Sequence, residues 1–188
     1  MAKTKKVKEQ KVELPVKLDL GCGPNKKEGF TGVDMIKFPG VDIILNIGDD
    51  KWPWEDNSVD EVHCSHTIEH LEAVQRIHFI NELHRILKSG SSCSIIAPHW
   101  ASCRAYGDIG PNGHKWPPVS EFWFYYLSKD WRKVNAPHST YNAEVDFEAT
   151  WGYGLNQNLT ARSQEFKQFA MENYKEALTD IMANLKKK

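Results

Sequence analysis

Apolar residues recur with two periods along the chain, and the period changes from segment to segment. "PVKLDLG" (residues 15–21), "GFTGVDM" (29–35) and "GVDIILNI" (40–47) are short runs bounded by glycine or polar turns, which predicts three strands. "SVDEVHCSH" (58–66) reads as a fourth strand. In "AVQRIHFINELHRILKSG" (73–90) Val74, Ile77, Ile80, Leu83 and Leu87 are spaced by three and four, predicting an amphipathic helix closed by Ser89 and Gly90. "SSCSIIAPHW" (91–100) predicts a fifth strand stopped at Pro98, and "AEVDFEATWGYGL" (143–155) a further one. From about Thr160 onward Phe166, Phe169, Tyr174, Ala177, Leu178, Ile181 and Leu185 form an apolar stripe, which predicts one long C-terminal helix. Strands alternating with helices predict an α/β fold with a mostly parallel sheet and helices on its faces. Only residues 21–29 join the first two strands, too few for a full crossover helix, so the first helix is expected to shrink to a turn.

Composition narrows the class. The 188 residues suit one domain with a full core, with no internal repeat. Net charge is -1, so no global field points to nucleic acid. No apolar run approaches the ~20 residues of a membrane span. Residues 1–14 read as a basic, flexible arm; they lack the apolar stretch of a secretory signal, and a nucleic-acid role for them stays open. The four cysteines form no C-x-x-C pair, which favours a reduced, cytoplasmic setting. Residues 99–142 hold ten aromatics in 44 positions, about twice the chain's 11%, and are expected to form an aromatic insertion on the substrate side.

The chemistry concentrates in "LDLGCGPNKKEGFTGVDM" (18–35). Gly21 and Gly23 directly follow a strand, where backbone without a Cβ can approach a ligand. Asp34 ends the next strand, where a carboxylate can accept from both hydroxyls of a ribose. A dinucleotide fingerprint would need a third glycine at position 26, which is lysine, and an acid about 20 residues on; Asp34 follows Gly21 by 13. A cofactor with a ribose and no pyrophosphate fits better. S-adenosylmethionine is one, and Asp19 suits its cationic groups. His99 ends the fifth strand, where ligands of open α/β sheets sit, and is a candidate base together with His66 and His114.

"LDLGCGPN", "GFTGVDM", "DNSVDEVHCSHTIEHL" and "ELHRILKSGSSCSIIAPH" together resemble the successive motifs of class I S-adenosylmethionine-dependent methyltransferases, of small bacterial and phage type, over roughly residues 16–100. The resemblance implies the Rossmann-like fold of that class. It implies that Asp19, Gly21, Cys22 and Gly23 surround the methionine part and ribose, and that Asp34 with Met35 holds the ribose side. Asn46 would meet adenine, with the Ile47 backbone or Asp50 as substitutes, and Ser65 and His66 would line the cofactor from the fourth strand. "YGDIGPNGHKW" resembles a D-P-x-H segment of such enzymes, which implies acceptor contacts for Tyr106, Asp108 and His114, with Trp100 beside them. The acceptor would be a small molecule or an unidentified polymer. A non-catalytic cofactor-binding domain, or an adenosyl-cofactor transferase or lyase, are the alternatives.

"HTIEH" (66–70) also spells H-x-x-E-H, a string of certain zinc proteases. That reading needs both histidines on one helical face, whereas here the string directly follows a strand, so no metal is expected. The Pro-Pro-aromatic and Pro-Cys motifs of two DNA-methylating classes are absent after the fourth strand. The apolar stripe of the C-terminal helix offers a surface for a homodimer.

Overall fold

The computed structural model describes residues 14–108, 110, 112–139 and 145–188. Apart from Leu14, the basic arm lies outside them, as does Tyr141 of the aromatic insertion. Seven strands form one sheet: β1 (Lys17–Leu20), β2 (Thr31–Asp34), β3 (Ile43–Ile44), β4 (Val59–Ser65), β5 (Leu87–Pro98), β6 (Phe147–Leu155) and β7 (Leu178–Lys187). Their order is β3-β2-β1-β4-β5-β7-β6. The first five pair in parallel, and β7 runs antiparallel to both neighbours. Four α-helices are described, α1 (Ala73–Ile86), α2 (Glu121–Tyr125), α3 (Lys129–Asn135) and α4 (Gln164–Asn173). The α/β class and the mostly parallel sheet are therefore as expected. So is the reduced first crossover, since residues 21–30 contain turns and no helix. No helix among the described residues is long and apolar enough to cross a membrane.

The core lies where the alternating strand positions meet α1. Leu18, Leu20, Val62, Cys64, Cys93, Ile95 and Ala97 are buried from β1, β4 and β5. From α1, Phe79, Ile80, Leu83 and Ile86 pack against them, and Trp52 meets Phe79 edge-on at 5.4 Å. Val74, assigned above to the buried stripe, is 77% exposed; the inner face instead carries Arg76 and Phe79. The helix also ends earlier than Ser89-Gly90. Leu87 already pairs with Val59 as the first residue of β5, because the buried edge of β4 offers it a ladder partner.

The long C-terminal helix is not formed. Only α4 is helical; Leu178–Lys187 form β7 between β5 and β6. Tyr174, Leu178, Ile181 and Leu185 fit a helical stripe, but Ile181, Ala183, Leu185 and Lys187 are all buried and alternate with Met182, Asn184 and Lys186. The period of two is the operative one. Ala183 marks it: it is buried and pairs with Ile95 on one side and Trp151 on the other. The surface suggested for helix-mediated pairing is consequently the middle of the sheet. Lys187, buried at the end of β7, donates from Nζ to the Leu87 carbonyl and Asn57 Oδ1, each at 2.8 Å.

Two expectations follow for stability. Ile181→Ala removes a fully buried side chain and should cost about 2–5 kcal/mol, whereas Met182→Ala on the opposite face should stay within about 0.5 kcal/mol; urea unfolding of both variants checks this. The His84 ring packs edge-on to Phe147 at 5.2 Å, with Nε2 buried and without a partner among the described residues. Burial, and then Lys187, push its pKa below the ordinary 6.5; burial does the same at His63. The unfolded chain thus takes up these protons first on acidification, so stability is held above about pH 6.5 and declines as pH falls through the folded-state values. Unfolding midpoints between about pH 7.5 and 5.5 should show this decline, shallower in His84→Gln.

Candidate active site

The carboxyl ends of β1, β2 and β4 open onto a cleft of about 590 Å³. Gly21 leaves β1 with φ +71°, and its N–H donates to the Val33 carbonyl at 2.8 Å, tying the loop to β2. A Cβ at Gly21 would lie 2.2 Å from Thr67 Oγ1, so the loop and the turn after β4 touch only because no side chain is there. Gly23 has φ +52° and opens on free space. Its N–H donates to Asp34 Oδ2 at 2.9 Å, and the Ile36 N–H donates to Oδ1 at 2.9 Å. The Asp34 carboxylate is therefore fixed on the cleft wall with lone pairs to spare on both oxygens.

Met35, Asn46 and Ile47 also line the cleft. The Asn46 side chain is engaged within its own turn, donating to Asp49 Oδ2 and accepting from the Gly48 N–H, while Asp50 accepts the Asn46 N–H. Three expected cofactor residues do not line the cleft. Asp19 is buried beneath the loop and accepts the Lys27 N–H at 2.7 Å. Cys22 turns inward, and burial, with Asp19 and Asp34 nearby, pushes its thiol up to about 11. Ser65 is the last residue of β4, one position before the cleft.

The three candidate bases separate in space. His66 lines the cleft at φ +53°, just past β4. Its Nδ1 lies 3.3 Å from Glu69 Oε1, and that carboxylate raises its pKa against the opposing effect of burial. His66 and His70 do not share a helix, because residues 68–70 form a single 3₁₀ turn. His99 is 2% exposed and turned away: its Nδ1 accepts the Ala101 N–H, and Nε2 donates to Glu121 Oε1 at 3.0 Å. Tyr153 donates to the same oxygen at 2.8 Å. Burial acts to raise the Glu121 pKa, yet its backbone N–H, Tyr153 and His99 hold it below the ordinary value. This trio, with Trp100, lines a second cavity of about 440 Å³. His99 thus fails as a base at the first cleft, because both ring nitrogens are committed beside the other cavity. His114 packs edge-on to His70 at 4.8 Å, behind the cleft wall. Tyr106 bonds the Trp100 carbonyl at 3.0 Å and lines neither cavity, whereas Asp108 does reach the first cleft.

Thr67, Gln75, Asn112 and Lys115 line the first cleft without having been singled out by the sequence. Thr67 follows His66 directly and could have been found from the glycine it must meet. Glu121 and Tyr153 carried no local signal.

The "Methyltransferase domain" family matches residues 18–95. The matched stretch runs from β1 into β5 and includes the glycine turn and Asp34. No curated protein matches the chain. Among solved structures, it is similar to a SAM-dependent methyltransferase from Archaeoglobus fulgidus, with a TM-score of 0.64 at 18% identity over 92% of this chain and 86% of that one. It is also similar to geranyl diphosphate C-methyltransferase from Streptomyces coelicolor A3(2), in complex with Mg2+, geranyl diphosphate and S-adenosyl-L-homocysteine (TM-score 0.53, 12% identity, 93% and 73% coverage). A third is an S-adenosylmethionine-dependent methyltransferase from Mesorhizobium loti (TM-score 0.51, 16% identity, 92% and 90% coverage). At these identities the likeness establishes the fold, over nearly the whole chain.

The cleft offers what an adenosyl group requires. Bare backbone at Gly23 faces open space, and the fixed Asp34 carboxylate can accept from two adjacent hydroxyls. The two glycines should respond differently to a methyl group. Gly21→Ala meets Thr67 and a left-handed φ, and should unfold at clearly lower urea than wild type. Gly23→Ala should cost only about 1–2 kcal/mol of backbone strain yet abolish measurable S-adenosylhomocysteine binding by calorimetry.

Proposed function

We propose that the protein transfers a methyl group from S-adenosyl-L-methionine to an acceptor, a small molecule or an exposed group of a polymer, that enters the cleft beside Asp108, Asn112 and Lys115. The observation that carries this reading is the clamp of Asp34 by the Gly23 and Ile36 amides on the wall of a cleft large enough for the cofactor. When bound, S-adenosyl-L-methionine supplies an electrophilic methyl group on a sulfonium.

The chain's own residues bind, orient and shield. Asp34 accepts the ribose hydroxyls, and the backbone at Gly21 and Gly23 lets the cofactor lie close. Met35, Leu45 and Ile47 give apolar walls for the adenine, with Asn46 at their rim. His66, Thr67 and His70 stand at the β4 side of the cleft. Of the histidines considered as bases, His66 alone lines the cleft, which supports it as the one that meets the acceptor. In-line transfer depends on holding the reacting atoms about 3–3.5 Å apart in a site that excludes water, and Asp108, Asn112 and Lys115 of the insertion border the cleft where that would occur. All four cysteines are free thiols, three of them buried, which supports a cytoplasmic location.

Calorimetry with S-adenosylhomocysteine tests the cofactor assignment. Asp34→Ala removes hydrogen bonds to a charged group, worth about 1.5–3 kcal/mol, so affinity should fall by about 10- to 150-fold. Equal affinity in the variant would show that the second strand has been misread. With labelled cofactor and a lysate, the expected product is S-adenosylhomocysteine; methylthioadenosine would make the reaction a different one.

A further inference from the structure

Glu69 is 3% exposed, and neither carboxylate oxygen has a hydrogen-bond partner among the described residues. A buried carboxylate without hydrogen bonds is costly, and proteins normally resolve it with a bound cation or paired donors. The two nearby cations do not supply those donors. Arg76 directs its N–H groups to the carbonyls of Ile68, Glu69, Leu71, Lys115 and Pro117. His66 Nδ1 forms an ion pair with Oε1 at 3.3 Å but without hydrogen-bond geometry, and Oε2 has no hydrogen-bond partner among the described residues.

Two imidazoles face the same point. His70 Nδ1 lies 2.6 Å from the Asn112 carbonyl, so that nitrogen carries the proton and the Nε2 lone pair is free. His114 Nδ1 is buried without a partner among the described residues. One ligand atom each from Glu69, His70 and His114 lie within 4.8 Å of one another. The segments that carry them are fixed together: the Lys115 N–H donates to the Glu69 carbonyl at 2.7 Å, and the His114 N–H to the Asp108 carbonyl at 3.3 Å.

We propose that Glu69, His70 and His114 form a mononuclear site for a divalent first-row transition ion of the Zn²⁺ class. Two imidazoles and a carboxylate suit such an ion, and three protein ligands leave a coordination position open. His70 lines the cofactor cleft, so that position is available to an oxygen of a molecule bound there. The H-x-x-E-H string is only half used: its glutamate and second histidine ligate with a histidine of the insertion, and His66 stays outside the set.

Metal uptake by the full chain, stripped with a chelator and free of cofactor, tests the site. Co²⁺ is the optical probe, Zn²⁺ the competitor, and elemental analysis gives the stoichiometry. The expected result is one Co²⁺ per chain with visible ligand-field bands, displaced by one Zn²⁺. Glu69→Gln and His114→Ala should each weaken uptake by ~100-fold or more, beyond the ~10–100-fold typical of outer partners, while His66→Asn retains it. Circular dichroism confirms folding, and His70→Gln replaces either variant if it does not fold. Absence of saturable uptake, or undiminished affinity in the folded ligand variants, overturns the site. S-adenosylhomocysteine calorimetry on the same preparations is a separate readout, so loss of the metal site leaves the cofactor assignment standing, and the reverse.

Discussion

The guanidinium of Arg76 is the contact on which the cleft depends. It projects from α1, is 4% exposed, and reaches five carbonyl oxygens: three in the turn after β4 and two in the insertion, at Lys115 and Pro117. Burial lowers its pKa, with Glu69 and Glu72 opposing. A guanidinium has five N–H donors in a fixed plane, so one side chain can satisfy several orphaned carbonyls where the chain makes no regular structure. The 3₁₀ turn at residues 68–70 and the strap at 115–117 lie outside the sheet and the α-helices, and without Arg76 the carbonyls of Leu71, Lys115 and Pro117 would lose the guanidinium donor that binds them. Thr67, His66 and Asp108 reach the cleft because this clamp holds the segments that carry them.

How much of this the sequence disclosed follows from the range of the interactions. Gly21, Gly23 and Asp34 were legible because their chemistry is local: a strand, a turn needing positive φ, and an acid at the next strand end. The first five strands were legible for the same reason. The end of α1 was not, because Leu87 is taken by a ladder with Val59 that no local pattern shows. The C-terminal strand was hidden because Ile181 and Leu185 satisfy periods of two and four alike. Only Ala183, too small to weigh in an apolar stripe, separates the two, and its burial is set by Ile95 and Trp151 on neighbouring strands.

The histidines follow the same logic. His99 stands at a strand end, where ligand contact is a fair expectation, but its direction is set by Glu121 and Tyr153, from α2 and β6. His114 seemed to belong with Tyr106 and Asp108, its neighbours in sequence. It sits instead against Glu69 and His70, because the strap folds back along the turn after β4. Chemistry carried by one short segment could be read from residue order, whereas chemistry assembled from two segments could not.

The lost first helix explains how carboxylates came to shape the cofactor loop. In a full crossover, a helix would cap the glycine turn and fix its amides. Here Asp19 takes the Lys27 N–H, Asp34 takes those of Gly23 and Ile36, and Asp42 takes the Gly32 N–H at 2.7 Å while pairing with Lys26 at 2.9 Å. The Lys26 contact, then the Gly32 amide, hold Asp42 below its ordinary pKa. A Cβ at Gly32 would come within 2.9 Å of Lys26, the Gly40 carbonyl and Cys22, so the loop closes onto β2 with no space between them. Three acids and a close glycine contact thus do locally what a helix does at longer range. They fix the amides in place while leaving the cleft's outer face uncovered, and it is there that Asp108, Asn112 and Lys115 of the insertion come to lie.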